Sequence, residues 1–217
     1  MADEKFSINE ALSAGWALAK SNFLILIGFG LLAAAVMVVP PLLAKVTLHM
    51  LGKSDDFFLN LLAAPVQFLA HTIANMGIIK VTLDICENRK PDVNGFFSPL
   101  PQLPYFLVAA FLYDTMVTVG LFFLIVPGII LALTFQFYSY LIIDQQCGPI
   151  EALRKSAAIT SGAKWNLLGL NVLVVLICAL GLLCLIIGII PASMVSSLAV
   201  AHCYRQLLEH TDKTTLA

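Results

Sequence analysis

The sequence predicts an all-α integral membrane protein with six transmembrane helices, arranged as three hairpins, and with amphipathic helices at the membrane surface. Hydrophobic residues make up 60% of the 217 residues and charged residues 12%, whereas soluble domains contain roughly 45–50% and about 25%. Several apolar runs exceed the roughly 18 residues that indicate a transmembrane helix. We therefore expect a single polytopic membrane domain over residues 1–217.

A surface helix is predicted near the N-terminus, over residues 7–20. Ser7 and Glu10 have the S-x-x-E spacing of a capping box, and Leu12 and Trp16 recur on one helical face. The helix leads directly into an apolar run, so we expect it to lie in the headgroup plane. Acidic residues stand where a signal peptide is basic, which predicts that the first span is retained.

Six spans follow from the long apolar runs and the breaks within them. Pro40-Pro41 is expected to kink the first span or to end it early. Pro127-Gly128 is expected to divide the third apolar region into two spans, and Gly188 with Pro191 is expected to divide the last one. The predicted spans cover residues 23–44, 57–79, 105–125, 129–143, 167–186 and 190–207.

The distribution of basic residues predicts the orientation of these spans. With the N-terminus inside, only Lys45 and Lys53 lie outside, and the other ten of the twelve Lys and Arg lie inside. The positive-inside rule favours this arrangement. We therefore expect a multi-pass protein of the bacterial inner (cytoplasmic) membrane with both termini in the cytoplasm.

A second surface helix is predicted over residues 149–162. Gly148 is suited to the N-cap, Pro149 to the first helical position and Glu151 to the third. The segments 7–12 and 148–153 share Glu-Ala-Leu, and each precedes an apolar hairpin. This similarity suggests an internal pseudo-repeat, which in membrane proteins often indicates pseudosymmetry. Chance similarity between apolar sequences is the alternative.

Three motifs resemble a widespread family of six-span prokaryotic membrane proteins that is largely uncharacterised. They are Pro127-Gly128 in a hairpin, the E-A-L-x-x-S pattern from Glu151 to Ser156, and the A-x-x-Y-R-Q-L pattern from Ala201 to Leu207. YciC-like proteins and the membrane domain of some glycerophosphodiester phosphodiesterases look similar. The resemblance covers most of residues 90–208, implies the six-span fold and carries over no active site.

Four polar residues are candidates for an intramembrane site. Asp114 is the only carboxylate well inside a predicted span, and such charges often mark a pathway or a proton site. Gln67, His71 and Asn75 recur every four residues, so they are expected to share one helical face that points into the bundle or a cavity. A proton relay between His71 and Asp114 is one interpretation. Hydrogen bonds that hold the helices together are the other.

A basic rim for lipid headgroups is predicted from Arg154, Lys155, Lys164 and Arg205, with charges that only set the topology as the alternative. Arg205 is expected to extend its side chain to the headgroups. No catalytic, cofactor or metal-binding motif is present in the sequence, and no basic tract is dense enough for nucleic acid. The expected partners are membrane lipids, together with a second copy of the chain or another membrane protein.

These observations predict a non-enzymatic integral inner-membrane protein with a membrane-organising, lipid-interacting or partner-docking role. The alternative is a small transporter or channel with a polar intramembrane site around Asp114 and His71. An intramembrane lipid-modifying enzyme is a third hypothesis that no motif supports. No cofactor is expected.

Overall fold

The structure is a computed structural model, and it describes residues 8–50, 56–183 and 189–215. Within these ranges the chain is helical, with no β-strand. A short 3₁₀ helix, Leu100–Gln102, precedes the fifth α-helix. The α-helices are α1 Ile8–Ser21, α2 Phe23–Met50, α3 Asp56–Cys86, α4 Val93–Phe97, α5 Leu103–Phe123, α6 Ile125–Phe135, α7 Tyr138–Gln145, α8 Pro149–Thr160, α9 Lys164–Leu183 and α10 Ile189–Thr215.

Several of these helices are long and apolar enough to cross a membrane, which makes this a membrane protein. Four segments of the described chain meet that condition by length and composition. A fifth is obtained if α8 and the start of α9, which are bent by 99° at residues 161–163, are counted as one broken span. The four segments are Phe23–Met50, Ala63–Cys86, Val93–Phe123 and Ile125–Gln145.

The core forms around α10, which packs against α1, α3, α8 and α9. Leu198, Ala201, Tyr204 and Leu207 on α10 are fully buried. The C-terminal half of α3 supplies buried apolar side chains such as Leu83. By contrast, most side chains of α2 are exposed, because this helix packs mainly against α3. An exposed apolar surface of this kind is what a helix that faces lipid requires.

Pro127 lies at the beginning of a helix and does not separate two helices. The break between α5 and α6 falls at Leu124, whose backbone is extended, and not at Pro127-Gly128 as expected. Pro127 lies in the first turn of α6, where a missing N–H costs nothing because that donor has no partner within the helix. Pro191 lies within α10, and the expected break at Gly188 lies outside the described residues.

The pair Pro40-Pro41 does not end the first long helix. Helix α2 continues through both prolines to Met50, six residues beyond the predicted end of the first span. The predicted connection over residues 45–56 is therefore helical over residues 45–50, and residues 51–55 lie outside the described chain.

The predicted helix at residues 7–20 is present as α1, and it packs on α10 through a face of small residues. Ala11, Gly15 and Ala19 are buried, whereas Trp16 is exposed. A Cβ added to Gly15 would lie 3.0 Å from the backbone N of Ala199. Small side chains thus let α1 approach the backbone of α10 closely, and Leu12 and Leu18 pack against the core at the sides of this contact. The expected N-cap, Ser7, lies outside the described residues.

The helix predicted over residues 149–162 is present as α8, Pro149–Thr160, with Gly148 at the N-cap and Pro149 at the first position. The Ser156 hydroxyl donates a hydrogen bond to the backbone O of Thr134 at 2.9 Å and accepts one from the backbone N–H of Phe137 at 3.2 Å. These two backbone groups lie on either side of the break between α6 and α7. The conspicuous serine of the E-A-L-x-x-S pattern therefore holds a helix break together.

Candidate functional site

The expected polar face of α3 lies on the outside of the folded chain. Gln67, His71 and Asn75 are all exposed, on one side of the helix and flanked by the exposed Phe68. The expectation that they point into the bundle was therefore wrong for the single chain. Within the described residues, none of the three polar side chains forms a hydrogen bond to another part of the protein. We name these three residues the α3 polar stripe.

Asp114 also lies on the outside, at the twelfth of the 21 residues of α5. Its carboxylate interacts electrostatically with the phenols of Tyr113 and Tyr138, and no cation is paired with it among the described residues. A carboxylate at the centre of a membrane helix costs about 2.5–3.5 kcal/mol on insertion scales. An exposed position at this depth therefore calls for a partner.

The structure does not bring Asp114 and the α3 polar stripe together within one chain. Helices α3 and α5 are not a packed pair, since α3 packs against α2, α4, α7 and α10. No hydrogen bond links His71 to Asp114 in the described part of the chain. The relay between them thus has no support from the fold of a single chain.

The four basic residues of the predicted rim fall into two groups. Arg154 is exposed and Lys164 is half-buried, and both are without an ion pair in the described chain. Lys155 donates to the Glu151 carboxylate at 2.9 Å and to Gln145 at 2.9 Å. The bond from Lys155 lowers the pKa of the Glu151 carboxyl below its usual range. Glu151 is accordingly an N-terminal helix residue held by a neighbouring lysine.

Arg205 is not part of the rim, which corrects the expectation that its side chain extends to the headgroups. The guanidinium donates to the Asp144 carboxylate at 2.8 Å and also to Glu87. Glu87 is paired in addition with the exposed Arg89 at 2.8 Å, and the Tyr204 phenol donates to Asp144 at 2.9 Å. We name these five residues the ionic cluster.

The ionic cluster joins the ends of three helices. Glu87 directly follows α3, Asp144 lies in the last turn of α7, and Arg205 lies within α10. The side chains of these three residues are only 18–24% exposed. Two arginines balance two carboxylates, so the cluster carries no net charge. A neutral, mutually hydrogen-bonded network of this kind positions helices.

Sequence reasoning missed Glu87 and Asp144. Both residues stand at the edge of apolar runs, where carboxylates are ordinarily solvated, and nothing in their spacing indicates that they share a partner. The available signal was the Tyr204-Arg205 pair within the A-x-x-Y-R-Q-L pattern. A tyrosine and an arginine that follow a long apolar stretch need acceptors nearby when they are buried.

Both tryptophans of the chain lie near a junction between a shorter helix, α1 or α8, and the long apolar helix that follows it. Trp16 lies near the end of α1, 52% exposed, and the Lys20 ammonium lies 5.0 Å from its ring centroid. Trp165 lies at the start of α9, 84% exposed, and directly follows Lys164. Trp and Lys at such junctions are typical of the membrane–water interface. We name the two pairs the Trp–Lys junctions.

A cleft opens beside the first of these junctions. Its volume is about 250 Å³, and it is bounded by α1, the start of α2 and the N-terminal half of α10. The lining is apolar apart from the Lys20 side chain. The lining residues are Trp16, Ala19, Lys20, Phe23, Met194 and Val195.

One family matches the region that contains most of the ionic cluster, helix α8 and the second Trp–Lys junction. Its sequence profile, described as a domain of unknown function (DUF7847), matches residues 93–208, which is 116 of the 217 residues. The chain belongs to the DUF7847 family. The DUF7847 match does not link the chain to YciC-like proteins or to the membrane domain of glycerophosphodiester phosphodiesterases, so that resemblance stays a prediction. Comparisons with curated proteins and with solved structures gave no significant match.

The DUF7847 region begins at Val93, the first residue of α4, and ends one residue after the buried Leu207. It contains Asp144, Tyr204 and Arg205 but not their partner Glu87. The match therefore includes most of the ionic cluster, whereas the α3 polar stripe and Trp16 lie outside it. No group of three or more His, Cys, Asp or Glu side chains is placed to hold a metal ion in the part of the chain that the structure describes.

Proposed function

We propose that this DUF7847 protein is a non-enzymatic, six-span protein of the bacterial inner membrane that binds anionic phospholipid at its two Trp–Lys junctions. Both termini lie in the cytoplasm in this proposal, as the distribution of Lys and Arg favours. The spans are formed by α2, α3, α5, the α6–α7 pair, α9 and α10.

The observation that carries the proposal is the repeated placement of tryptophan beside lysine. Trp16 and Trp165 are exposed, and each has a lysine that forms no ion pair with a carboxylate among the described residues. An indole at the interface positions the helix, and a free ammonium attracts a lipid phosphate by about 1 kcal/mol near an anionic surface. Arg154 adds a further exposed cation on α8.

The cleft at the first junction suits one end of a phospholipid. Apolar walls from Phe23, Met194 and Val195 match an acyl chain, and Lys20 at its edge matches a phosphate. Burial of acyl methylenes and pairing of the phosphate then act on the same molecule. This combination supports lipid binding more directly than it supports transport, because the polar groups of the alternative site face outwards.

Fluorescence quenching by brominated lipids tests the proposal. The two tryptophans are separated by the variants W165F and W16F, and each protein is placed in nanodiscs that contain brominated phosphatidylglycerol or brominated phosphatidylcholine. We expect stronger quenching of Trp16 by the anionic lipid, and K20Q should remove that preference. The same result is expected for Trp165 with K164Q.

Lys45 provides the matched control, since it is exposed at the other end of α2. K45Q should leave the lipid preference of both tryptophans unchanged. Equal quenching by the two lipids in the unmodified protein would show that the junctions do not select anionic lipid.

A further inference from the structure

Two groups of polar side chains lie in the middle of long apolar helices without a hydrogen-bond or ion-pair partner in the described chain. Their hydrogen-bonding groups are complementary. The α3 polar stripe offers two amides and an imidazole, which donate hydrogen bonds. Asp114 on α5 offers a carboxylate, which accepts them. All four side chains are exposed, and the two helices are not packed against each other in one chain.

The two surfaces lie at matching depths. Asn75 is 11 residues before Cys86, the last residue of α3, and Asp114 is 11 residues after Leu103, the first residue of α5. At the rise of an α-helix both positions are about 16 Å from those ends. The two ends are joined by residues 87–102, and α4 within this connection packs on α3, so they lie at the same end of the bundle.

The registers of the two helices also agree. In the six-span arrangement proposed above, on which this inference rests, α3 and α5 cross the membrane in opposite directions. When Asn75 is placed opposite Asp114, His71 comes opposite the exposed Thr118, and Gln67 comes opposite Phe122, which is 86% exposed. The exposed residues of one helix thus face exposed residues of the other along about two and a half turns.

We propose that the chain forms a homo-oligomer in which the α3 polar stripe of one copy packs against the Asp114 face of α5 in the next copy. The two faces belong to different helices, so the contact is heterologous and repeats around a ring whose axis is perpendicular to the membrane. An amide of Asn75 donates to the Asp114 carboxylate of the neighbour, with His71 one turn away. A second copy fits this surface because each copy supplies both the donors and the acceptor.

The association is measured by single-molecule photobleaching of labelled protein in liposomes of neutral phosphatidylcholine, over a range of protein-to-lipid ratios. We expect the unmodified chain to form oligomers, and D114L to raise the apparent dissociation constant by roughly fivefold to thirtyfold. T47V is the matched control, since it removes another exposed polar group from an apolar helix, and it should leave the association unchanged. The neutral lipid makes the result independent of lipid selection at the Trp–Lys junctions.

Cysteine crosslinking tests the geometry without changing any of the four polar residues. F68C and F122C place thiols at exposed positions of the two faces, and they are made in separate copies that carry different tags. Oxidation should join a F68C copy to a F122C copy, and the unmodified chain, with its own cysteines, gives the background. If the D114L protein aggregates or does not insert into the membrane, this crosslink still tests whether the two faces are in contact.

Three results overturn the proposal. The first is a monomer at every protein-to-lipid ratio, the second is an oligomer that D114L does not weaken, and the third is crosslinking of two F68C copies to each other in place of the mixed pair. If one of these results is obtained while cysteines in the loops are labelled from the expected sides of the membrane, the oligomer is excluded and the six-span arrangement stands. Labelling from the wrong sides would instead remove the arrangement on which the register depends.

Discussion

The Tyr204 phenol donates a hydrogen bond to the Asp144 carboxylate at 2.9 Å, across 60 residues of chain. This bond joins the centre of α10 to the end of α7. Arg205, the next residue, bonds to the other oxygen of the same carboxylate. Asp144 thus has both oxygens occupied from adjacent residues of α10, which places α7 and α10 in a single relative position.

Removal of the Arg205 guanidinium should destabilise the protein strongly. R205Q leaves the largely buried Asp144 carboxylate without a cation, and it leaves Glu87 with only the exposed Arg89 as its partner. Loss of one partner of a buried ion pair costs about 3–5 kcal/mol. The expected result is a large decrease in the melting temperature in detergent.

Arg89 provides the control for this experiment, since it contacts the same Glu87 but is 67% exposed. R89Q should lower the free energy of unfolding by less than about 1 kcal/mol. Neutralising both carboxylates along with Arg205, in the triple variant E87Q/D144N/R205Q, should restore part of the lost stability. Equal melting temperatures for R205Q and R89Q would show that the cluster does not hold the helices.

A methyl group at Gly15 should weaken the contact between α1 and α10. The added Cβ would lie 3.0 Å from backbone atoms of Val195 and Ala199, and backbone cannot move aside as a flexible side chain can. Overpacking of this kind costs about 1–3 kcal/mol. We expect G15A to lower the melting temperature and to increase proteolysis within α1.

Gly28 is the matched control for G15A. It also lies within a helix, and a Cβ added there meets no atom within 4 Å. Because Ala favours helix over Gly by about 1 kcal/mol, G28A should be neutral or slightly stabilising. If G15A behaves like G28A, α1 does not pack closely against α10.

Loss of the Ser156 hydroxyl should loosen the break between α6 and α7. In S156A the backbone N–H of Phe137 loses its acceptor in a buried setting. Thr134 keeps a bond from Thr160 at 3.1 Å, so only one backbone group is left unpaired. We expect S156A to lower the free energy of unfolding by about 1–3 kcal/mol.

Hydrogen exchange at the amide of residue 137 measures this effect directly, since the amide should exchange faster in S156A. Ser13 is the comparison, because its hydroxyl bonds to the backbone O of Glu10 at an exposed position within α1. S13A should leave the exchange of residue 137 and the melting temperature unchanged. Unchanged exchange in S156A would contradict the role assigned to this hydroxyl.

Cysteine labelling in whole cells tests the proposed orientation. H49C lies at the exposed end of α2 and N94C lies in α4, which follows the second long helix. A maleimide that cannot cross membranes should label H49C in cells with a permeabilised outer membrane. It should label N94C only after the inner membrane is opened. Labelling of N94C before that step would reverse the orientation.

The positions of the long helices were largely accessible from the sequence, because length and apolar composition set them locally. The break between α5 and α6 lies at Leu124, three residues before the predicted position at Pro127. A proline is accepted in the first turn of a helix, so its position in the sequence does not mark the break itself. The direction of the α3 polar stripe was predicted wrongly for a physical reason. The spacing of Gln67, His71 and Asn75 shows that they share a face, whereas only the packing of α3 shows which way that face points.

The sequence by itself determined that this is a helical membrane protein with long apolar helices and with shorter helices near residues 7–20 and 149–162. These properties depend on composition, periodicity and capping, which act over a few residues. Only the tertiary structure decided that Glu87, Asp144 and Arg205 meet, that Gly15 contacts the backbone of α10, and that Asp114 and the α3 polar stripe face outwards. Such contacts join residues up to 184 positions apart, from Gly15 to Ala199, and no local pattern records which helices become neighbours.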